Sequence, residues 1–217
     1  VYPESDGKPM AETDVHIDLL TYLREALKLW FAARTLVYVA GNNLLYYEEG
    51  DAKRRVSPDV YVVKGVSNRK RRVFKLWEEK KPPCVVIEVS SKGTKREDLV
   101  TKFQLYRDVL RVKEYYVYDP LREYLPGRLK AWVWEEGRYV DRGIAGQHIA
   151  SPELGLILAD TERYLRLVDP KTGNELPGLA EADAACKRET EARVAAEAEV
   201  RRLREEIRRL KGPKRGR

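Results

Sequence analysis

The sequence predicts an α/β (α+β) fold: a mixed central sheet flanked by helices, followed by a long C-terminal helix. Three observations carry this. Two amphipathic helical segments alternate with short β-branched and aromatic runs. One run, Cys84-Val-Val-Ile-Glu-Val-Ser90, is nearly continuous and apolar, as in a strand buried on both faces. The stretch from about Leu179 to Lys211 is rich in Ala, Glu and Arg and contains no proline. The expected organisation is therefore a globular domain over residues 1–178, a C-terminal helix over 179–211 and a basic disordered tail over 212–217.

The elements follow in order. From Thr13 to about Ala33, apolar residues fall at Ile17, Leu20, Leu23, Leu27, Trp30 and Phe31, close to the helical period, with Thr13 or Asp14 as cap. Strand-like segments at Leu36–Ala40, Leu44–Glu48 and Asp59–Val63 are separated by Gly41-Asn42-Asn43 and Gly50-Asp51. The basic stretch after them is expected to be a loop ending at Pro82-Pro83. The buried strand Cys84–Ser90 precedes a second amphipathic helix, Glu97–Leu110, with Leu99, Phe103, Tyr106 and Leu110 on one stripe. Glu114–Tyr118 is a strand stopped by Asp119-Pro120. Ala131–Glu135 and Arg138–Asp141 form a hairpin about Glu136-Gly137, and Leu165–Val168 adds a last short strand. In the C-terminal helix, Val200, Leu203, Ile207 and Leu210 have coiled-coil spacing. At 1.5 Å per residue it reaches roughly 50 Å, long for a small body to cover. A second copy or a partner is expected there, with a solvated single helix as the alternative.

Composition narrows the function. Of 217 residues, 43% are hydrophobic and 35% charged, so a core is affordable beneath a densely charged surface. The apolar runs are too short to span a bilayer, and no secretory signal is expected at the start. Cys84 and Cys186 are distant in sequence, which suits a reduced, cytoplasmic compartment. With His16 and His148 they show no zinc-ligand spacing. Of the net charge of +7, residues 179–217 supply +4, from 12 basic and 8 acidic residues. The local basic stretch Lys64–Lys81 holds eight basic residues, including Lys70, Arg71 and Arg72, against Glu78 and Glu79. It is either a phosphate-attracting patch or a solvated loop.

Glu88 carries the most information. A carboxylate inside Val-Val-Ile-Glu-Val is costly to bury without a cation or hydrogen-bond donors. The bland alternative is a structural ion pair; the sharper one is a metal site, which needs a second carboxylate. Asp59, opening the strand after Pro58, offers it 29 residues earlier. Two such carboxylates suit Mg²⁺ through hard oxygen ligands. Lys102 sits at the edge of the buried helical stripe, four residues before Tyr106. It is either an inward-facing ammonium or a snorkelling surface lysine, with Asp98 available for an ordinary i,i+4 pair.

Pro58-Asp59 followed by Glu88-Val89-Ser90 resembles the motif of the PD-(D/E)XK nuclease superfamily. Ser90 stands where that pattern has lysine, and Lys102 looks like the migrated lysine of some branches. Lys102-Phe-Gln-Leu-Tyr106 is similar to the helix signature of RecB-like nucleases. The runs Tyr46-Tyr-Glu-Glu-Gly50, Val56-Ser-Pro-Asp-Val-Tyr-Val-Val63, Lys75-Leu-Trp-Glu-Glu79, Ile87-Glu-Val-Ser90, Arg96-Glu-Asp-Leu99 and Glu114-Tyr-Tyr-Val-Tyr-Asp-Pro120 together resemble the Uma-two family. That is a family of restriction-endonuclease type, formerly a domain of unknown function. The resemblance covers roughly residues 10 to 178 and implies a restriction-endonuclease-like core. It also implies a Mg²⁺ site (Mn²⁺ as substitute) held by Asp59, Glu88 and the Val89 carbonyl. Lys102 would be the charge-stabilising lysine, with Ser90 and Tyr106 as supporting hydrogen-bonders. Glu12, Asp14 and His16 are further candidates for contacting water at the metal, and Lys92 and Lys95 are fallback lysines. The expected activity is DNA phosphodiester hydrolysis by a homodimer, with DNA contacts from Lys70, Arg71, Arg72, Lys92 and Lys95 and no organic cofactor or membrane. The alternative is a catalytically weak DNA- or protein-binding module oligomerised by the C-terminal helix.

Overall fold

The computed structural model describes residues 2–4, 13–143, 148–161 and 163–210. The chain forms two compact units, Val1–Leu176 and Pro177–Arg217. Glu12 and the tail from Lys211 lie outside the described residues.

In the first unit, helix α1 (Asp14–Trp30) begins at Thr13, whose side chain accepts the His16 N–H. Capping by the Thr hydroxyl satisfies a donor that the first turn leaves without a partner. Leu19, Leu20, Leu23, Ala26 and Leu27 form its buried face. The strands are β1 (Val37–Ala40), β2 (Leu45–Tyr46), β3 (Arg55–Val56), β4 (Val60–Lys64) and β5 (Phe74–Lys75), the last leading into the one-turn helix α2 (Leu76–Glu79). Strand β6 (Val85–Val89) comes next. A central helix follows, built largely from two wide π-type stretches, Glu97–Lys102 and Leu105–Val109. Strands β7 (Glu114–Tyr118), β8 (Leu129–Glu135), β9 (Arg138–Asp141), β10 (His148–Ser151), β11 (Leu156–Thr161) and β12 (Tyr164–Val168) complete the unit.

The main sheet has the order β1-β4-β6-β7-β8-β9. Only the β6–β7 pair is parallel; the other neighbours are antiparallel, so the sheet is mixed, as the sequence predicts. All five residues of β6 and all five of β7 are buried, because both faces of the sheet are covered. On one face, Val85 and Ile87 join a core with α1 and the separate sheet β10-β11-β12. On the other, Val86, Tyr115, Val117 and Trp132 pack with Tyr106 and Leu110 of the central helix. Alternation along β6 therefore aims Glu88, next on the Val86 face, at the central helix.

Two expectations are corrected. The stretch Lys64–Lys81 is not a plain loop but contains β5 and α2. Phe74 is fully buried against Tyr38 and Tyr61, and β5 pairs in parallel with β2, so one aromatic anchor outweighs the surrounding charge. The strands β3, β10 and β11 lie outside the strands the sequence predicts, because their apolar content is broken by polar residues or too brief to give a period.

In the second unit, α3 (Leu179–Leu210) is a single helix with Leu179, Val194, Val200, Leu203 and Ile207 exposed. Among the described residues no helix is long and apolar enough to cross a membrane. Cys84 is buried and Cys186 exposed; both are free thiols.

Leu23 is wholly enclosed between α1 and the sheet. Leu23→Ala is expected to cost about 2–5 kcal/mol by cavity formation, read as a fall in the denaturant midpoint with an unchanged slope.

Candidate active site

The sheet register brings the two key carboxylates together. Val60 of β4 pairs with Ile87 of β6, so Asp59, one residue before Val60, lies beside Glu88. The two residues are tied in both directions. The Asp59 N–H donates to Glu88 Oε2 at 3.2 Å, and the Val89 N–H donates to Asp59 Oδ2 at 2.8 Å. Gly41, in the turn after β1, makes this approach possible: a Cβ there would lie 2.0 Å from the Asp59 carbonyl oxygen.

The central helix supplies the counter-charge. Asp98, Lys102 and Tyr106 recur every four residues and present polar atoms toward β6. Lys102 Nζ lies 2.9 Å from Glu88 Oε2 and 3.1 Å from Asp98 Oδ1. The Tyr106 hydroxyl donates to Glu88 Oε1 at 2.6 Å. Glu88 is 0% exposed, and each of its oxygens has a donor, which answers the cost of burying it. Lys102 keeps 12% of its side chain exposed, at the wall of a cleft of about 380 Å³ shared with Asp59, His16, Val89, Ser90 and Thr94.

Ser90 does not occupy a lysine's place chemically. Its hydroxyl donates to Asp98 Oδ2 at 2.6 Å and accepts a short hydrogen bond from the Tyr124 hydroxyl. Thr94 Oγ1 lies 3.3 Å from it. A continuous chain, Tyr124–Ser90–Asp98–Lys102–Glu88, thus runs from the loop after β7 to the buried strand. Asp98 is the main residue that sequence reasoning undervalued, as a mere salt-bridge partner. Its four-residue spacing from Lys102 was the available signal. Tyr124 gave none, since it lies in a loop whose position depends on tertiary structure.

The remaining predicted residues are placed as follows. His16 Nε2 is 3.7 Å from Asp59 Oδ2, whereas Asp14 is exposed. Lys92 lines the cleft, and its N–H donates to Glu123. Lys95 Nζ sits over the Tyr124 ring at 5.1 Å. Lys70 is exposed; Arg72 is exposed and pairs with Glu4. Arg71 is largely withdrawn from solvent, forked onto both Glu79 oxygens and stacked on Tyr38.

The electrostatics are unbalanced. Asp59, Glu88 and Asp98 face the single ammonium of Lys102. Burial raises the Glu88 carboxyl to about 8; Lys102 opposes this, while Asp59 and Asp98 add to it. Burial likewise raises Asp59 to about 6 against the pull of Lys102. Burial alone would lower Lys102, but Glu88, Asp59 and Asp98 raise it, so it stays an ammonium. A hard divalent cation fits this excess of negative charge, and carboxylate oxygens are the donors it prefers. Among the described residues no three His, Cys, Asp or Glu side chains gather as a ligand set. A cation here would draw on Asp59 and Glu88, with backbone oxygen, water or phosphate completing its shell.

The family model Uma2, described as "Putative restriction endonuclease", matches residues 4–159. The chain belongs to the Uma2 family. Among solved structures, the Uma2 chain is similar to a crystal structure described as "a putative nuclease belonging to DUF820 from Anabaena variabilis ATCC 29413". That similarity has a TM-score of 0.47 and 12% sequence identity, over 70% of this chain and 81% of the other. No curated protein matches it.

Because Asp59 is raised on folding, the folded protein holds its proton after the unfolded chain has lost it. Stability from this group is therefore full below about pH 4 and lost as pH rises to about 6. Without divalent metal, Asp59→Asn is expected to be more stable than the parent above pH 6, by on the order of 2 kcal/mol, and little different near pH 4. Thermal melts across that range check it.

Proposed function

We propose that the protein is a Mg²⁺-dependent endodeoxyribonuclease that hydrolyses DNA phosphodiester bonds in the cytoplasm. The observation that carries this reading is the meeting of Asp59, Glu88 and Lys102, from two neighbouring strands and the central helix, with Asp59 and Lys102 on the wall of one cleft and Glu88 buried behind it. Family membership supports the same reaction class.

Asp59, Glu88 and the Val89 carbonyl are the proposed metal ligands. Bound there, Mg²⁺ or Mn²⁺ supplies Lewis-acid stabilisation of phosphate charge and lowers the pKa of water. The chain's own groups do the rest. Held as an ammonium, Lys102 acts as a donor and not as a base. Glu88 accepts one of its three N–H donors and Asp98 pairs with it at 3.1 Å, so donor capacity remains for a phosphate oxygen or the attacking water. Its charge offsets the negative charge that grows on the phosphate oxygens. Tyr106, kept neutral by burial, holds Glu88 from the other oxygen. Ser90, itself fixed by Tyr124, holds Asp98, which holds Lys102: a serine and an aspartate together position a lysine that arrives from the helix.

We assign α3 to homodimerisation, so that two active sites serve the two strands of a duplex. Its exposed Val200, Leu203 and Ile207 support this assignment. Leu203→Asp combined with Ile207→Asp is expected to halve the particle mass measured by light scattering; an unchanged mass removes the coiled-coil assignment.

The reaction is tested on supercoiled plasmid with Mg²⁺ or Mn²⁺. The parent protein is expected to cleave, and removal of the metal with EDTA is expected to stop it. Asp59→Ala and Glu88→Ala are expected to abolish cleavage, and Lys102→Ala to slow it about 100-fold or more. Cleavage that survives both carboxylate substitutions sinks the assignment. Metal binding without cleavage by the parent protein would favour a binding module instead.

A further inference from the structure

Three cavities on one side of the first unit are joined through shared walls. The candidate active-site cleft shares Asp59 with a smaller cavity of about 220 Å³ against α1. That cavity shares Arg24 and Gly41 with a third, of about 480 Å³, which runs along the edge strand β1. The groove so formed changes character along its length. Its start holds the carboxylates. Its middle is neutral, with Thr21 and Asn42. Its far end is lined by Arg24, Lys28, Lys70 and Arg71, with no acidic side chain among the described lining residues.

The cations at the far end are held in position. Arg24 Nε and Lys28 Nζ both bond to Glu25 Oε1, at 3.1 and 3.0 Å, which gathers them on one side of α1. Both remain well exposed, and Lys70 is exposed opposite them. Arg71 is committed to Glu79 and serves as a wall. Along α1, His16, Arg24 and Lys28 mark one path. Arg24 stands roughly 12 Å and Lys28 roughly 18 Å beyond His16. Measured along a duplex axis, those distances are about three and five base-pair rises.

We infer that this groove is the track for one DNA strand, with Arg24, Lys28 and Lys70 binding backbone phosphates several nucleotides from the scissile bond. This deepens the nuclease reading and rests on it. The track reassigns the DNA contacts: Lys70 belongs to it, whereas Arg71 is spent on structure. Alternating charge explains the layout, since phosphates repelled by the carboxylates are held by cations at a distance, and the cleft is left to the one phosphate that reacts.

The test measures duplex affinity against salt concentration in EDTA, by fluorescence anisotropy of a short labelled duplex, beside plasmid cleavage in Mg²⁺. Arg24→Ala/Lys28→Ala/Lys70→Ala is compared with Arg201→Ala/Arg204→Ala/Arg208→Ala on α3, which removes the same charge elsewhere. The groove variant is expected to bind at least about tenfold more weakly, with a log–log salt slope smaller by about 0.9 for each lost contact. The α3 variant should keep the parent slope. Arg24→Lys with Lys28→Arg should restore binding, which separates charge from fold damage. Parent-like affinity and slope in the groove variant overturn the track, as does a loss confined to the α3 variant; continued parent cleavage in either case leaves the nuclease reading standing. A parent protein that neither binds nor cleaves DNA overturns both.

Discussion

The buried carboxylate of Glu88 is the constraint around which the rest of the first unit is arranged. A charge in the middle of a strand covered on both faces is intolerable without partners. Each partner comes from a different element: the Asp59 amide from the start of β4, the Lys102 ammonium and the Tyr106 hydroxyl from the central helix. The requirement therefore fixes the register of β4 against β6 and the rotation of the helix above them. It also accounts for the local electrostatics, since Lys102, which satisfies the buried carboxylate, stands at the wall of a cleft.

Much of this arrangement is legible in the sequence because it is local. The apolar run around Glu88 announces a strand buried on both faces, and the spacing of α1 and the central helix follows from their leucines and aromatics. Pro58-Asp59 and Lys102 become informative only in combination, and there the family motif supplies what periodicity cannot. Other features depend on long-range contacts and leave no local trace. Phe74 makes a strand inside a run of lysines and arginines because Tyr38 and Tyr61 enclose it. Tyr124 reaches Ser90 across 34 residues of chain. Arg71 reads as a surface cation but is locked by Glu79 and an aromatic face.

Ser90 links the end of β6 to the central helix. Its short hydroxyl donates to Asp98, which enters from the helix, and Asp98 pairs with Lys102 one turn further on. The first of the wide π-type stretches, Glu97–Lys102, contains both Asp98 and Lys102.

The reciprocal bonds between Asp59 and Glu88 govern how the site responds to mutation. Each carboxylate accepts from a backbone amide belonging to, or adjoining, the other residue. They act as a cross-brace between two strands as well as a pair of charges. Removing one leaves a strand-end amide unmatched and releases the other from its position, so effects of single replacements overlap. A double-mutant cycle at these positions should show strong epistasis, with the second deletion costing far less than the first. Evolutionary loss of either carboxylate would therefore relax selection on its neighbour, and decay of the site would proceed in pairs.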